Sequence, residues 1–112
     1  MNIIKLLIVD SRSIEDFDLS EYVPQDTELI ISGGAKGIDT VAERYADSHG
    51  FSKLILKPKY NLYGNAALLK RNEKTVDLSD SVLVVWDGKS RGTLFTAEYA
   101  KKKNKDVTVI EV

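Results

Sequence analysis

Ile31-Ser32-Gly33-Gly34-Ala35-Lys36-Gly37-Ile38-Asp39 is a glycine-rich turn between an apolar run, residues 28–31, and an amphipathic run, residues 38–49. The apolar run is typical of a strand and the amphipathic run of a helix. The first backbone N–H groups of a helix have no partner within it, and the aligned peptide dipoles add partial positive charge there. Glycines let the backbone approach a pyrophosphate without an intervening Cβ. The turn therefore predicts a phosphate-binding loop at a strand-to-helix junction.

Five apolar runs predict the strands of one sheet: residues 3–9, 28–32, 53–57, 81–86 and 107–111. Several are continuous and rich in Val, Ile and Leu, as in strands buried on both faces of a parallel sheet. Helical patterns fill the intervals: residues 13–22 with Ser13 as the cap, 38–49, 66–78 and 93–103. This alternation predicts an α/β fold, a three-layer Rossmann-like sandwich with a central, mainly parallel five-stranded sheet flanked by helices.

Composition narrows the class of protein. The chain of 112 residues is expected to form one domain, residues 1–112, and its net charge of −1 provides no global basic field to hold nucleic acid. The absence of cysteine excludes disulfides, thiolate metal sites and a cysteine nucleophile. The apolar N-terminus runs directly into Asp10-Ser11-Arg12, which favours a buried first strand over a signal peptide. We expect a cytoplasmic protein without a membrane segment.

Four polar segments follow predicted strands: residues 10–12, 32–37, 57–65 and 87–93. The carboxyl ends of parallel strands meet at one edge of the sheet, where ligands bind at the point of reversed strand order. Residues 58–65 form the one irregular stretch long enough for a functional loop. The candidate ligand-binding residues at this edge are Ser11, Arg12, Ser32, Gly33, Gly34, Gly37, Asp39, Arg71, Asn72, Asp87, Gly88, Ser90, Gly92 and Thr93.

Two common nucleotide motifs do not fit the glycine-rich turn. Ser32-x-Gly34-x-x-Gly37 aligns only partly with the dinucleotide fingerprint, and the expected downstream acid is replaced by Lys57-Pro58-Lys59. Lys36 is followed by glycine, which excludes a Walker A loop. With one histidine and no cysteine, the candidate catalytic residues are the carboxylates Asp39 and Asp87. Asp39 has three open interpretations: a helix-dipole partner, a ribose ligand or a ligand of Mg²⁺.

The ordered motifs resemble the SLOG superfamily, which contains DprA-type DNA-processing proteins, lonely-guy nucleotide phosphoribohydrolases and small YspA/YpsA-related domains. Ser32-Gly33-Gly34-Ala35-x-Gly37-x-Asp39-x-x-Ala42 is similar to the Ser-Gly-Gly-Ala-x-Gly-x-Asp-x-x-Ala signature. The YspA-related domains resemble the rest of the chain most closely, in four further places: Ser11-Arg12, Arg71-Asn72, Asp80 and Asp87-Gly88-x-Ser90-x-Gly92-Thr93. The resemblance implies a Rossmann-like fold that binds a nucleotide-derived ligand.

The chain departs from this family at two positions. Asp10 stands where the family has glycine, and a carboxylate there would repel a phosphate. Thr96 stands at the position of the lonely-guy catalytic glutamate, with Glu98 two residues later, which disfavours that phosphoribohydrolase activity.

The leading functional hypothesis is a sensor or binding module for a small nucleotide-like ligand. A hydrolase acting on a nucleotide N-glycosidic or phosphate bond is the first alternative, and a protein that binds single-stranded DNA is the second. The net charge of −1 disfavours nucleic acid as the partner. A homodimer is compatible with a small sheet carrying exposed apolar helices.

Overall fold

The computed structural model describes residues 4–11, 13–14, 16–33 and 41–112. Its strands are β1 (Ile4–Asp10), β2 (Thr27–Ser32), β3 (Ser52–Ile55), β4 (Ser81–Trp86) and β5 (Asp106–Glu111). Its helices are α1 (Val41–His49), α2 (Tyr60–Tyr63), α3 (Ala67–Leu78) and α4 (Arg91–Lys102), with a 3-10 turn at Gly64–Ala66 between α2 and α3.

The five strands form one sheet in the order β3-β2-β1-β4-β5, and every neighbouring pair is parallel. Leu7 in the central strand pairs with Ile31 of β2 on one side and with Val82 of β4 on the other. The chain moves outward from β1 through β2 to β3, then returns to β4 on the opposite side of β1. The strand order therefore reverses between β1 and β4, as in a Rossmann-like three-layer sandwich. This confirms the predicted fold class.

Two apolar layers cover the sheet because successive side chains of a strand point to opposite faces. Leu6 and Ile8 of β1 pack on one face with the buried side of α1, whereas Leu7 packs on the other face with α3 and α4. Crossover connections between parallel strands are right-handed, so a helix that connects strands in one direction along the sheet lies on the opposite face from a helix that connects strands in the other direction. This rule explains why α1 is separated from α3 and α4.

The predicted helix over residues 13–22 is wrong for the described part of that segment, which forms turns and irregular backbone. Phe17 and Leu19 both pack against the α1 side of the core, yet residues two apart point to different sides of a helix. Ser13, the predicted cap, instead donates a hydrogen bond from its hydroxyl to the Asp87 carboxylate, 2.7 Å away. The described part of this segment, residues 13–14 and 16–23, covers the α1 side of the core as an irregular strap.

The predicted irregular stretch at residues 58–65 is also partly helical. Tyr60–Tyr63 form the single turn of α2, and the 3-10 turn leads directly into α3. These turns place the segment that follows β3 against the start of α3. Across the four described ranges of the chain, each helix is too short or too polar to cross a bilayer.

Candidate functional site

A network of hydroxyl groups joins the loops at the reversal point between β1 and β4. Ser11, which is 1% exposed, follows β1 and donates its backbone N–H to the Val85 carbonyl at 3.0 Å. Its hydroxyl donates to Thr93 Oγ1 at 3.3 Å and accepts the backbone N–H of Asp87 at 3.1 Å. Thr93 Oγ1 in turn donates to Ser90 Oγ at 3.0 Å. Three candidate hydroxyls from distant parts of the sequence are therefore brought together.

Ser90 is also the N-cap of α4. Its side-chain oxygen accepts the backbone N–H of Thr93 at 3.4 Å, which satisfies one of the unpaired donors at the start of the helix. The Trp86 indole N–H donates to the Ser90 carbonyl at 3.0 Å, and its ring packs partly against the core. These contacts hold the loop between β4 and α4 in one conformation.

Asp87 orders the same loop through its carboxylate. The carboxylate accepts the Ser13 hydroxyl at 2.7 Å and the backbone N–H groups of Lys89 and Ser90, both at 2.8 Å. These hydrogen bonds, led by the one from Ser13, lower the pKa of Asp87 to about 2. A carboxylate with so low a pKa is a weak base at neutral pH, so the geometry favours a loop-ordering role for Asp87.

Gly88 has a φ of +80°, in the left-handed region, and an added Cβ would lie 3.2 Å from Oε2 of Glu111. Glycine is suited to this turn for both reasons. Gly92 lies in the first turn of α4, and an added Cβ there meets nothing within 4 Å. The positive φ and the nearby Glu111 carboxylate therefore favour glycine at position 88, whereas no contact requires it at position 92.

Arg71 connects the loops that follow β2 and β3. From α3, its Nη1 donates to the Gly33 carbonyl at 2.7 Å and to the Leu56 carbonyl at 3.3 Å, while Nε donates to Oδ1 of Asn72 at 2.8 Å. An added Cβ at Gly33 would lie 2.6 Å from Cζ of Arg71. The glycine thus allows the guanidinium group to lie against the backbone. The sequence placed Arg71 on the ligand, whereas the structure shows it bracing two loops.

Asp10 lies at the carboxyl end of β1, directly before Ser11. Its carboxylate accepts the backbone N–H of Val41 in α1, and Glu43 and Arg44 of the same helix lie close enough to affect its charge. Burial is the main cause that raises the pKa of Asp10 to about 6. The sequence identified Asp10 only as a departure from a family glycine, because its burial depends on contacts with a helix 31 residues later in the chain.

Of the remaining predicted ligand-binding residues, the structure describes only Ser32. Ser32 is buried at the end of β2, where its carbonyl accepts the Leu56 backbone N–H at 2.9 Å. Arg12, Gly34, Gly37 and Asp39 lie outside the described residues. Asp80, part of the family resemblance, lies before β4 at the opposite edge of the sheet, and its carboxylate accepts the Lys5 backbone N–H at 2.9 Å.

Comparisons of this chain with family models, with curated proteins and with solved structures found no match.

Proposed function

We propose that this protein binds a nucleotide or nucleotide-derived ligand at the carboxyl edge of its sheet and acts as a sensor or binding module. We also propose that it is a SLOG-type domain, on the basis of the ordered motifs described above. The observation that carries the binding proposal is the joined hydroxyl cluster of Ser11, Ser90 and Thr93 at the strand-order reversal. Open α/β sheets bind ligands in this crevice.

The phosphate group of such a ligand is expected on the α4 side of the crevice. Backbone N–H groups at the start of α4 provide donors for an anion, together with the Ser90 hydroxyl, which the hydrogen bonds from Thr93 hold in place. On the α1 side, the Asp10 carboxylate already accepts the Val41 N–H and would repel a second anion when ionised. The start of α4 thus offers donors to a phosphate, whereas the α1 side presents a carboxylate. This difference supports a ligand whose phosphate lies at the start of α4, near Thr93.

The test is saturation-transfer NMR with a mixture of AMP, ADP-ribose, NAD, NADP and cyclic nucleotides. We expect transfer to one ligand, and a loss of about tenfold in affinity when Thr93→Val removes the hydroxyl that holds Ser90 Oγ in place. Thr108→Val, on an exposed position of β5, is the matched control and should bind as the wild type does. Wild-type affinity in Thr93→Val, or no transfer to any of these ligands, would contradict the proposal.

A hydrolase is the second candidate function, and Asp10 is the observation that favours it. A carboxyl group with a pKa of about 6 at this edge can exchange a proton near neutral pH, as a general acid or base must. Overnight NMR of the same mixture would then show new ribose or free-base signals, and Asp10→Asn would abolish them. Turnover that persists in Asp10→Asn would remove Asp10 from this role. Asp39→Asn and Asp87→Asn would test the two carboxylates predicted from sequence.

A further inference from the structure

A basic cavity lies between α3 and the segment that follows β3, outside the hydroxyl cluster. It has a volume of about 140 Å³, and five of its lining residues carry positive charge: Lys57, Lys59, Lys70, Arg71 and Lys74. Leu56, Tyr63 and the buried Ala67 complete the lining. We call this feature the lysine cavity.

The helix contributes one face to this cavity. Four residues of α3 line the cavity, at positions 67, 70, 71 and 74. Their spacing of three, one and three residues places them on the same side of the helix. The opposite wall is the segment that follows β3. Arg71 connects it to α3, because its guanidinium group donates a hydrogen bond to the Leu56 carbonyl at 3.3 Å. The two walls are therefore held together by a direct hydrogen bond.

Acidic side chains do not line the lysine cavity in the described structure. The two acidic residues of α3, Glu73 and Asp77, lie on the side of the helix that packs near α4. Asp77 accepts the Tyr99 hydroxyl at 3.0 Å, and both acids raise the pKa of Tyr99, after its burial and that hydrogen bond. Glu73 and Asp77 thus lie on the side of α3 adjoining the one that lines the cavity, and the charged residues that line it are all cations.

The charges of α3 interact with one another in two ways. Lys70 and Glu73, and likewise Lys74 and Asp77, are opposite charges three residues apart, a spacing that stabilises a helix. Lys70 and Lys74 are four residues apart, and like charges at that spacing destabilise a helix. Lys57 and Lys59 add two more positive charges from the opposite wall. An anion in the cavity would relieve the repulsion between these lysines.

We propose that the lysine cavity binds a small oligophosphate anion, meaning two or more linked phosphates, either free or carried by a nucleotide. Lysine ammonium groups bind phosphate as point charges, and several of them match a chain of phosphates better than a single one. The lysine cavity shares Arg71 with the residues predicted to bind a nucleotide but none of the hydroxyl cluster of Ser11, Ser90 and Thr93, so variants of its lysines test it separately from the proposed nucleotide function.

Nucleic acid is the other phosphate-rich ligand to consider. Tyr60 and Tyr63 are 57% and 48% exposed and alternate with the basic residues of this segment, as aromatic side chains do in proteins that bind single strands. A small cavity closed by two walls suits a short anion, however, whereas binding to single-stranded nucleic acid requires a basic groove that follows the backbone. The net charge of −1 also gives no wider positive field.

The test is isothermal titration calorimetry of the full chain with inorganic tripolyphosphate in low-salt buffer. We expect Lys70→Gln/Lys74→Gln to weaken binding about tenfold through the loss of two exposed charge pairs. The matched control is Lys101→Gln/Lys102→Gln, two exposed helical lysines away from the cavity, which should bind as the wild type does. Equal weakening by both pairs would overturn the proposal, because it would indicate a nonspecific charge effect.

Three further titrations identify the ligand class. Orthophosphate should bind more weakly than tripolyphosphate, and equal affinity for the two would contradict a site for linked phosphates. ATP binding with the same loss in Lys70→Gln/Lys74→Gln supports a nucleotide-borne chain, whereas tripolyphosphate binding without ATP binding supports a free one. An oligothymidylate that binds more tightly than tripolyphosphate would overturn the small-anion proposal in favour of nucleic acid.

Thr93→Val separates this proposal from the proposed nucleotide function. Tripolyphosphate binding that survives Thr93→Val supports an independent site, even if no nucleotide binds at the hydroxyl cluster. Loss of tripolyphosphate binding in Thr93→Val, with wild-type affinity retained in Lys70→Gln/Lys74→Gln, would place the anion at the hydroxyl cluster and overturn the present proposal.

Discussion

Asp10 shows how one side chain changes the interpretation of a strand-to-helix junction. The family resemblance predicts a glycine and an open space for phosphate, whereas here a carboxylate accepts the Val41 N–H. Burial opposes ionisation of this group more strongly than the nearby hydrogen bonds and Arg44 favour it. The native state therefore holds the proton of Asp10 to a higher pH than the unfolded chain does.

The pH dependence of stability follows from this difference. Between pH 3.8 and about 6 the native state binds more protons at Asp10 than the unfolded state does, so the contribution of Asp10 to stability falls as pH rises through that window. We expect Asp10→Asn, which retains an acceptor for Val41, to raise the free energy of unfolding by about 1–3 kcal/mol at pH 7.5 and by little at pH 4. Urea denaturation at several pH values measures this.

The control for the Asp10 experiment is Glu98→Gln, on an exposed position of α4. It removes one negative charge without removing a buried carboxylate, and its effect on unfolding is expected to stay within 0.5 kcal/mol or so. An equal gain in stability from both substitutions would attribute the effect to net charge and contradict the burial argument.

At the scale of elements, α3 organises the loops after β2 and β3 through the guanidinium group of Arg71. The sequence predicted this helix almost to the residue, as 66–78 against Ala67–Leu78. It also predicted β4 to the residue, and α4 and the other strands with small differences at their ends, while the predicted start of α1, residues 38–40, lies outside the described residues. The role of Arg71 was not predictable, because it depends on carbonyl groups 38 and 15 residues away in the chain.

A double-mutant cycle tests the contact between Gly33 and Arg71. The Cβ of Gly33→Ala would displace the guanidinium group, and we expect a destabilisation of about 1–3 kcal/mol from lost hydrogen bonds to a charged donor. In an Arg71→Ala background, the same substitution should cost much less. Gly92→Ala, with nothing near the added Cβ, is the control and should not destabilise the protein. Additive effects of Gly33→Ala and Arg71→Ala would refute the contact.

The cap of α4 provides a second test at this scale. Ser90→Ala removes the side-chain acceptor of the Thr93 N–H, and we expect a loss of about 1 kcal/mol in the free energy of unfolding. Ser90→Asp keeps an acceptor at the N-cap and should retain most of the stability. Chemical denaturation of the two variants measures the difference, and equal losses in both would show that capping is not the cause.

At the scale of the whole molecule, burial falls from the centre of the sheet to its edges. Leu7 in β1 is 1% exposed, whereas Leu54 in the edge strand β3 is 36% exposed. Charge is also unevenly distributed, since a chain of net charge −1 collects five cations around one cavity. A composition value describes the total charge and carries no information about this arrangement.

Two Leu→Ala substitutions measure the burial gradient. We expect Leu7→Ala to destabilise the protein by about 2–5 kcal/mol, because it removes a buried side chain and leaves a cavity. Leu54→Ala should cost less than about 1.5 kcal/mol, because its side chain already contacts solvent. The midpoints of urea denaturation compare the two variants. Similar losses would contradict the placement of β1 at the centre and β3 at the edge.

The sequence by itself determined the five strands, the three longer helices, the parallel α/β class and the sheet edge at which polar loops meet. These features follow from local periodicity, from glycine turns and from the geometry common to all parallel sheets. The irregular strap was not predicted, because Ser13 hydrogen-bonds Asp87 and Leu19 packs into the core, both contacts with residues distant in the chain. Only the tertiary structure placed the Asp10 carboxylate against α1, Arg71 across two loops and the lysines of two segments around one cavity. Each of these arrangements joins residues that are distant in the chain. Its stability depends on tertiary packing, which local sequence patterns do not specify.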